Sequence, residues 1–549
     1  MYKAVDWHLN RIGGNILARN RITALVVILF LLLASFAASG CGSKSGPKYL
    51  RFSVGTEPET LDPRKSTGIP ESTVQAQLFE GLTTLDATNK PLPAMAERWE
   101  VSTDGLRYKF FLRPGVKWSN GDPVTAYDFE YAWKTTLSPE FGAKYSYQLF
   151  YVKNGEAYNK GLTTADQVGV KALDDRTLEV VLEKPTAYFL SLTSFHTLYP
   201  VPRRIVEANP KWAAEPKTLI GNGPFKITNW VHNSRIELIK NDQYWDAAKV
   251  KMPKLDFILT ESSSTEVAMF DNNQIDMGDN APPAEYPRLK KEGRLQISPH
   301  LGTYFFAFNV EKAPLDNVKV RQALSLAIDR QSIIANVVKG EQRVALAWVP
   351  PGLADAAPNS DFRSVGGDYF KDGNIETAKK LLSEAGYPEG KGLPAIELIY
   401  NTHDVHKAIA EALQEMWRKN LGVDVRLSNQ EWKVFINTRS KGAYQIARHG
   451  WIGDYADPMT FLDMFETGSG NNDSQYKNPR YDTLIRLAKS TGNQEIRMKA
   501  MHEAERLLMD DAVIAPLYFY TRVTMVKPNV KGYQRSVLGH VYFKEAYVE

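Results

Sequence analysis

The sequence predicts an α/β protein of two or three lobes, with mixed or parallel sheets covered by helices, on three observations. The chain has 549 residues, too many for one hydrophobic core. Its composition, 43% hydrophobic and 24% charged, is ordinary for a globular protein. Its later part alternates strand and helix: Ala395 to Asn401 and Val423 to Asn429 flank an amphipathic helix from His406 to Gly422, a β–α–β unit. In that helix Ile409, Leu413, Met416 and Trp417 fall on one face.

The other elements follow in order. Tyr49 to Gly55 alternates apolar and polar side chains and reads as a strand, and Thr73 to Leu82 as a helix closed near Gly81. Arg107 to Leu137 gives a strand, a turn at Asn120-Gly121 and a helix that Thr125 and Asp128 can cap as a box. Arg176 to Pro185 is a strand and the segment from Thr186 a short helix. Phe225 to Trp245 predicts two antiparallel strands joined through His232 to Ser234. Residues 255–277 suggest a strand, a helix near Glu266 and a return to extended chain. Leu301 to Val310 is an apolar strand, and Val318 to Val338 reads as one long helix. Helices at Asn374 to Tyr387 and Ile496 to Asp511 and a strand from Ala512 complete the chain. No internal repeat and no linker stands out.

The first forty residues are a targeting segment. Basic residues ending at Arg21 precede an apolar run, Ile22 to Ala38, followed by Ser39, Gly40 and Cys41. A run of seventeen residues is also compatible with an uncleaved anchor. Small residues crowd its end, however, and the only cysteine stands there; Ala38-Ser39-Gly40-Cys41 resembles a bacterial lipobox, with Ala38 where Leu is usual. The expectation is a signal peptide over 1–40, a lipid on Cys41 and a tether over 41–47, with the body outside the cytoplasm. A chain with one cysteine has no disulfide framework.

Charge and motifs exclude several chemistries. The residues after the leader carry 63 bases and 62 acids, so no excess of charge points to nucleic acid. No G-x-S-x-G occurs, and Cys41 is spent on lipid, which removes the strongest hydrolase signatures. His403 and His406 share a helix-like spacing without H-E-x-x-H or a nearby cysteine, and read as a hydrogen-bonding pair at a helix start. Gly221 to Phe225 leads into a hairpin rather than a helix and is no phosphate loop. No catalytic residue, metal site or cofactor is expected.

One stretch gathers ligand-type groups: Trp432, Arg439, Arg448, Trp451 and Asp454 stand within a few dozen residues, among short apolar runs. A carboxylate on a Gly-containing turn can face a cavity and receive a cation, and guanidinium groups can receive a carboxylate. An internal Asp–Arg ion pair framed by core tryptophans fits the same residues.

Several separated segments carry a resemblance: Glu59 to Leu82, Leu92 to Trp133 (ending in GVKWSNGDPVTAYDFEYAW), NGPFKITNWV, VRQALSLAIDR, LIYNTHDVHK, NQEWKVFINTR and GWIGDYADPMTFL. Together they resemble the oligopeptide-binding proteins of bacterial ABC importers, the family 5 extracellular solute-binding proteins, from about Leu50 to the C-terminus. The resemblance implies a two-lobed, type II periplasmic-binding-protein-like fold. Residues 48–79, 205–301 and 522–549 would form lobe I, 80–204 its inserted subdomain, and 302–521 lobe II.

The implied function is a lipid-anchored, non-enzymatic receptor. It would hold short peptides extended between the lobes and pass them to a separate membrane permease and its ATPase subunits, acting as a monomer. By matched motif, Asp454 takes the peptide α-amino group, while Arg448, His406 and Lys339 take the C-terminal carboxylate at different lengths. Gly68, Ile69 and Trp451 fall at backbone-pairing segments; Arg439, Trp432, Asn401, Tyr145, Tyr520 and Asn280 fall at pocket-lining positions. The chain departs from enteric relatives at Thr67, Asp279, His300 and Phe305, and Gly302 and Ile452 stand where those relatives have a cysteine pair. Relatives with other cargo (nickel complexes, haem, sugars, signalling peptides) and a secreted hydrolase are the alternatives.

Overall fold

The computed structural model describes residues 49–86, 89–186 and 188–549; the leader and Cys41 lie outside the described residues. In chain order, β1 is Leu50–Gly55 and α1 is Ile69–Leu78. The helix begins earlier than the sequence predicts, because Pro70 occupies its first turn, where a missing N–H costs nothing. It stops at Leu78, whose carbonyl accepts from Gly223 N (2.9 Å).

β2 (Ala96–Val101) and β3 (Arg107–Leu112) are followed by α2 (Ala126–Leu137), β4 (Val170–Ala172) and β5 (Thr177–Val181). The four strands make a separate antiparallel sheet in the order β2-β3-β5-β4. The capping box forms as the spacing requires: Asp128 accepts from Thr125 N (2.8 Å) and Thr125 Oγ1 (3.1 Å) at the start of α2. Asp128→Ala is expected to cost about 1 kcal/mol, seen as a lower denaturation midpoint; an unmoved midpoint counts against the cap.

β6 (Phe225–Val231), β7 (Arg235–Lys240) and β8 (Lys254–Leu259) precede α3 (Ser263–Asp271), β9 (Met277–Gly278) and the long β10 (Leu295–Phe308). The predicted single helix over Val318 to Val338 is in fact two. α4 is Val318–Leu326, and α5 (Arg330–Ile333) restarts after Asp329, whose side chain caps it by accepting from Ser332 N. The break is held by Arg330, 0% exposed, which donates to the Pro516, Ser325 and Ile328 carbonyls and pairs with Asp372 (3.1 Å). An amphipathic pattern could not reveal a guanidinium that needs those carbonyls turned inward.

β11 (Arg343–Val344), β12 (Ile396–Asn401), α6 (Asp404–Leu421), β13 (Val425–Gln430), α7 (Trp432–Ser440), β14 (Ile446–Ile452), α8 (Gln494–Asp510) and β15 (Ile514–Val526) follow. β12, α6 and β13 form the predicted β–α–β unit, with β12 and β13 parallel in register from Ile396↔Val425 to Asn401↔Gln430. Ile409, Leu413 and Trp417 of α6 are 0% exposed, and Trp417 Nε1 donates to Leu324 O (2.8 Å).

The main sheet is mixed and runs β13-β12-β14-β10-β15-β9-β1-β8-β7-β6, with β11 on β15. β10 and β15 pass between its halves as an antiparallel pair whose register shifts between Pro299 and Thr303. At this irregularity Gly302 pairs with Ile452 of β14, and a Cβ on Gly302 would fall 2.4 Å from Ile452 Cδ1. The isoleucine thus fills the space that a side chain at 302 would need.

Candidate ligand-binding cleft

A cavity of about 390 Å³ opens where the two halves of the sheet meet. It is lined from β1, α1, β12, α6, α7, β14, β15 and the chain after β9. Twelve of the thirteen binding positions expected from the sequence line it: Gly68, Ile69, Tyr145, Asn280, Asn401, His406, Trp432, Arg439, Arg448, Trp451, Asp454 and Tyr520. Lys339 does not. It is an exposed residue with positive φ after the turn that follows α5.

β14 and its turn supply the charged groups. The strand carries Arg448 and Trp451, and Gly453 turns the chain so that Asp454, 7% exposed, faces the cavity. Asp454 accepts from Gln148 Nε2 (2.7 Å) and Tyr145 OH (3.4 Å), and its own N–H donates to Thr460 Oγ1 (2.9 Å). Among the described residues no arginine, lysine or histidine is ion-paired with it. Burial, and next the charge of Asp463, hold its carboxyl well above the usual carboxylate range.

Arg439 and Arg448, alike in sequence, have different environments. Arg439 Nε donates to Asp473 Oδ2 (2.6 Å), which also receives His449 Nε2 (3.3 Å). Burial opposes ionisation of Asp473, yet the Arg439 charge holds its carboxyl below the usual range. The internal Asp–Arg ion pair therefore exists, but with Asp473 rather than Asp454. Among the described residues Arg448 has neutral neighbours, Tyr520 OH (3.3 Å), Asn401 Oδ1 (3.5 Å) and the Tyr304 ring (4.9 Å), and its Nε has no partner.

His403 and His406 sit beside that charge. Burial first and Arg448 second push His403 down to about 4 and His406 well below its ordinary value, so both rings are neutral near pH 7. His403 caps α6 by accepting from Val405 N, His406 Nδ1 meets Tyr304 OH (3.2 Å), and the two rings stack at 4.4 Å. This is the hydrogen-bonding role the sequence suggests.

The opposite wall approaches through the start of α1. A Cβ on Gly68 would lie 2.1 Å from Glu71 Oε2 and 3.0 Å from Trp432 Cζ2, so a side chain there would have to displace the Glu71 carboxyl. Glu71 accepts from Glu59 N (2.5 Å) and Trp432 Nε1 (3.5 Å), and burial pushes its carboxyl up to about 7. Asp404, at the start of α6, reaches Ser263 N (3.1 Å) and Oγ (2.5 Å) at the start of α3. Such contacts hold the walls together across the opening.

Sequence reasoning missed Gln148, Glu71, Asp473 and Glu266. Each is a lone polar residue in an ordinary helix or loop, so no spacing marks it; Asn471 to Ser474 offers at most a polar run. Among the described residues, the Asp454 carboxylate and the Arg448 guanidinium face a shared, aromatic-walled cavity without an ion pair. The cavity can take a molecule with a cation at one end and an anion at the other.

Known proteins share this architecture. Residues 90–473 match the model of the bacterial extracellular solute-binding proteins, family 5. The chain is 42% identical to the oligopeptide-binding protein OppA of Bacillus subtilis, over 96% of this chain and 98% of the relative. It superposes on Haemophilus influenzae OppA in complex with the peptide RPPGFSPFR with a TM-score of 0.85, at 36% identity, covering 92% of this chain and 99% of the other. Against the unliganded open form of the murein tripeptide-binding protein MppA the TM-score is 0.61, at 35% identity, covering 92% and 98%. The superposition is thus better on the peptide complex than on the open form. On family model, length and fold together, this chain belongs to the bacterial extracellular solute-binding proteins of family 5.

Proposed function

We propose that this protein is a lipid-anchored extracytoplasmic receptor that encloses short peptides in its cleft and delivers them to an ABC-type permease. The observation that carries the reading is the placing of Asp454 and Arg448 on one cavity, each without an ionic partner among the described residues. A peptide supplies both missing charges, its α-ammonium to Asp454 and its terminal carboxylate to Arg448. The two positions are six residues apart, at most about 20 Å in extended chain. The reach of the arginine side chain shortens the ligand that fits both ends.

Between the ends, the backbone at Gly68, Ile69 and Trp451 would pair with an extended peptide as an added strand, which makes binding tolerant of sequence. Trp432, Tyr145, Asn401, Asn280, Tyr520 and Arg439 would face its side chains, and His406 would meet the carboxylate of a different length. Lys339, outside the cavity wall, would act only on a longer peptide. Lobe I would comprise 48–79, 205–301 and 522–549 with 80–204 inserted, and lobe II 302–521, a division supported by the register shift near Thr303. The anchor would be Cys41, the tether 41–47 and the permease separate chains; a monomer suffices for the site. An OppA relative crystallised with a nonapeptide supports peptide over the other cargoes carried within the family.

Native mass spectrometry of residues 42–549 as purified tests the reading. A ladder of adducts matching mixed short peptides is the expected result; a single non-peptide mass would overturn it. Cys41→Ser is expected to move the protein from the membrane to the soluble fraction. Continued membrane retention would favour an uncleaved anchor.

A further inference from the structure

One wall of the cleft carries an ionic cluster with no part in receiving the peptide termini. Asp279, in the chain after β9, accepts from Arg522 Nη1 (2.8 Å), Arg535 Nη2 (2.8 Å), Arg535 Nη1 (3.1 Å) and Thr524 Oγ1 (2.8 Å). Two guanidinium groups therefore share one carboxylate. Arg522 and Thr524 alternate with Tyr520 along β15 and so project to the same face. Arg522 reaches the cavity, with its side chain 11% exposed.

The remaining groups on this wall do not cancel the excess charge. His300 donates from Nδ1 to Val537 O (3.1 Å), which leaves Nε2 to accept from Arg522 Nη2 (3.0 Å). Burial and the Arg522 charge keep His300 well below its ordinary value, and His540 at about 4, so both rings are neutral. Glu266 is 0% exposed, accepts from Ser53 Oγ (2.6 Å) and Asn280 N (3.0 Å), and is pushed up to about 8 by burial. Burial thus favours its neutral form near pH 7. Glu261, the other carboxylate on this side, takes the Thr56 hydroxyl (2.8 Å), and the charges that act on Arg522 are those of Asp279 and Arg535. The Nε groups of Arg522 and Arg535 are buried without a partner among the described residues. A buried guanidinium with unused N–H groups and half a counter-ion favours a second anion.

We infer that Arg522, backed by Arg535 and held in place by Asp279 and His300, forms a subsite for a carboxylate-bearing side chain of the bound peptide. The cleft thus discriminates at one peptide position in favour of aspartate or glutamate while tolerating other residues elsewhere. This rests on the peptide reading above, and the test separates the two.

Alanine tri- and tetrapeptides carrying Glu or Gln at each position in turn, with free or amidated C-termini, are titrated calorimetrically into the protein. The expected result is one position at which Glu binds roughly 10- to 100-fold tighter than Gln, the range of a charged hydrogen bond, with either C-terminus. Arg522→Met brings that ratio close to one. Asp279→Asn, which releases both guanidinium groups, raises it. A cluster that only fastens the C-terminal segment would move both variants in the same direction, overturning the inference. Peptides that bind with no Glu preference at any position overturn the subsite and leave the peptide reading intact. A preference that vanishes on amidation assigns Arg522 to the main-chain terminus instead. Failure of every peptide to bind defeats the peptide reading and the subsite with it. Where a variant fails to fold, the wild-type Glu/Gln scan still decides.

Discussion

Asp454→Ala is expected to weaken peptide binding by roughly 2–5 kcal/mol, the cost of leaving a buried charge of the ligand without its partner. Asp454 is 7% exposed, and its neighbours Gln148 and Tyr145 are neutral donors. Closure around an ammonium supplies the missing counter-charge, and the low-dielectric surroundings strengthen the pair. N-acetylation of the peptide should have a comparable effect on wild type and little further effect on the variant. Calorimetry that finds equal affinity for wild type and Asp454→Ala would remove Asp454 from the site.

The same residue sets the pH dependence. In the protein alone, burial and then the charge of Asp463 hold the Asp454 carboxyl well above the usual carboxylate range; an ammonium beside it would hold it lower. Binding at a pH between those two values releases a proton, so affinity falls as pH falls through the raised value of the ligand-free cleft. Log affinity rises with pH at a slope of up to about one in that window, then flattens. It declines again above about pH 8, where a free α-amino group loses its proton. Asp454→Asn should flatten the acidic limb, and an unchanged limb would assign it to another group.

Arg448→Met is expected to cost a similar amount, roughly 2–5 kcal/mol, for peptides with a free C-terminus. Its guanidinium has the Tyr520 hydroxyl, the Asn401 amide and the Tyr304 ring but no carboxylate, and a methionine keeps much of its packing volume. Amidated peptides should bind wild type and variant alike, because neither complex forms the pair. The loss should be smaller for a peptide length whose carboxylate meets His406 instead. A uniform loss for free and amidated peptides would mean that Arg448 supports the wall rather than the ligand. Arg439→Met offers the contrast, since it strands Asp473 and should cost stability before affinity.

Much of the fold was legible because local rules agree with the global outcome. The alternation before Gly55, the capping box at Thr125–Asp128, the hairpin around His232 to Ser234 and the β–α–β unit all formed where pattern placed them. Where pattern failed, a long-range demand intervened. The helix over 318–338 divides because Arg330 needs the Pro516 carbonyl and Asp372.

By itself the sequence determined the α/β class and the order of most elements, which rest on spacing along the chain; the family and the residue types expected around the cleft came from the resemblance of its motifs to known proteins. Tertiary structure alone decided which of two similar arginines stays unpaired, and that Asp473 rather than Asp454 neutralises the other. It also brought Gln148 and Tyr145 to Asp454 from some three hundred positions away, and set two arginines against one aspartate at Asp279. The physical reason is that charge compensation and burial are properties of neighbours in space. Residues far apart in sequence become neighbours only when the strands of both lobes have found their register.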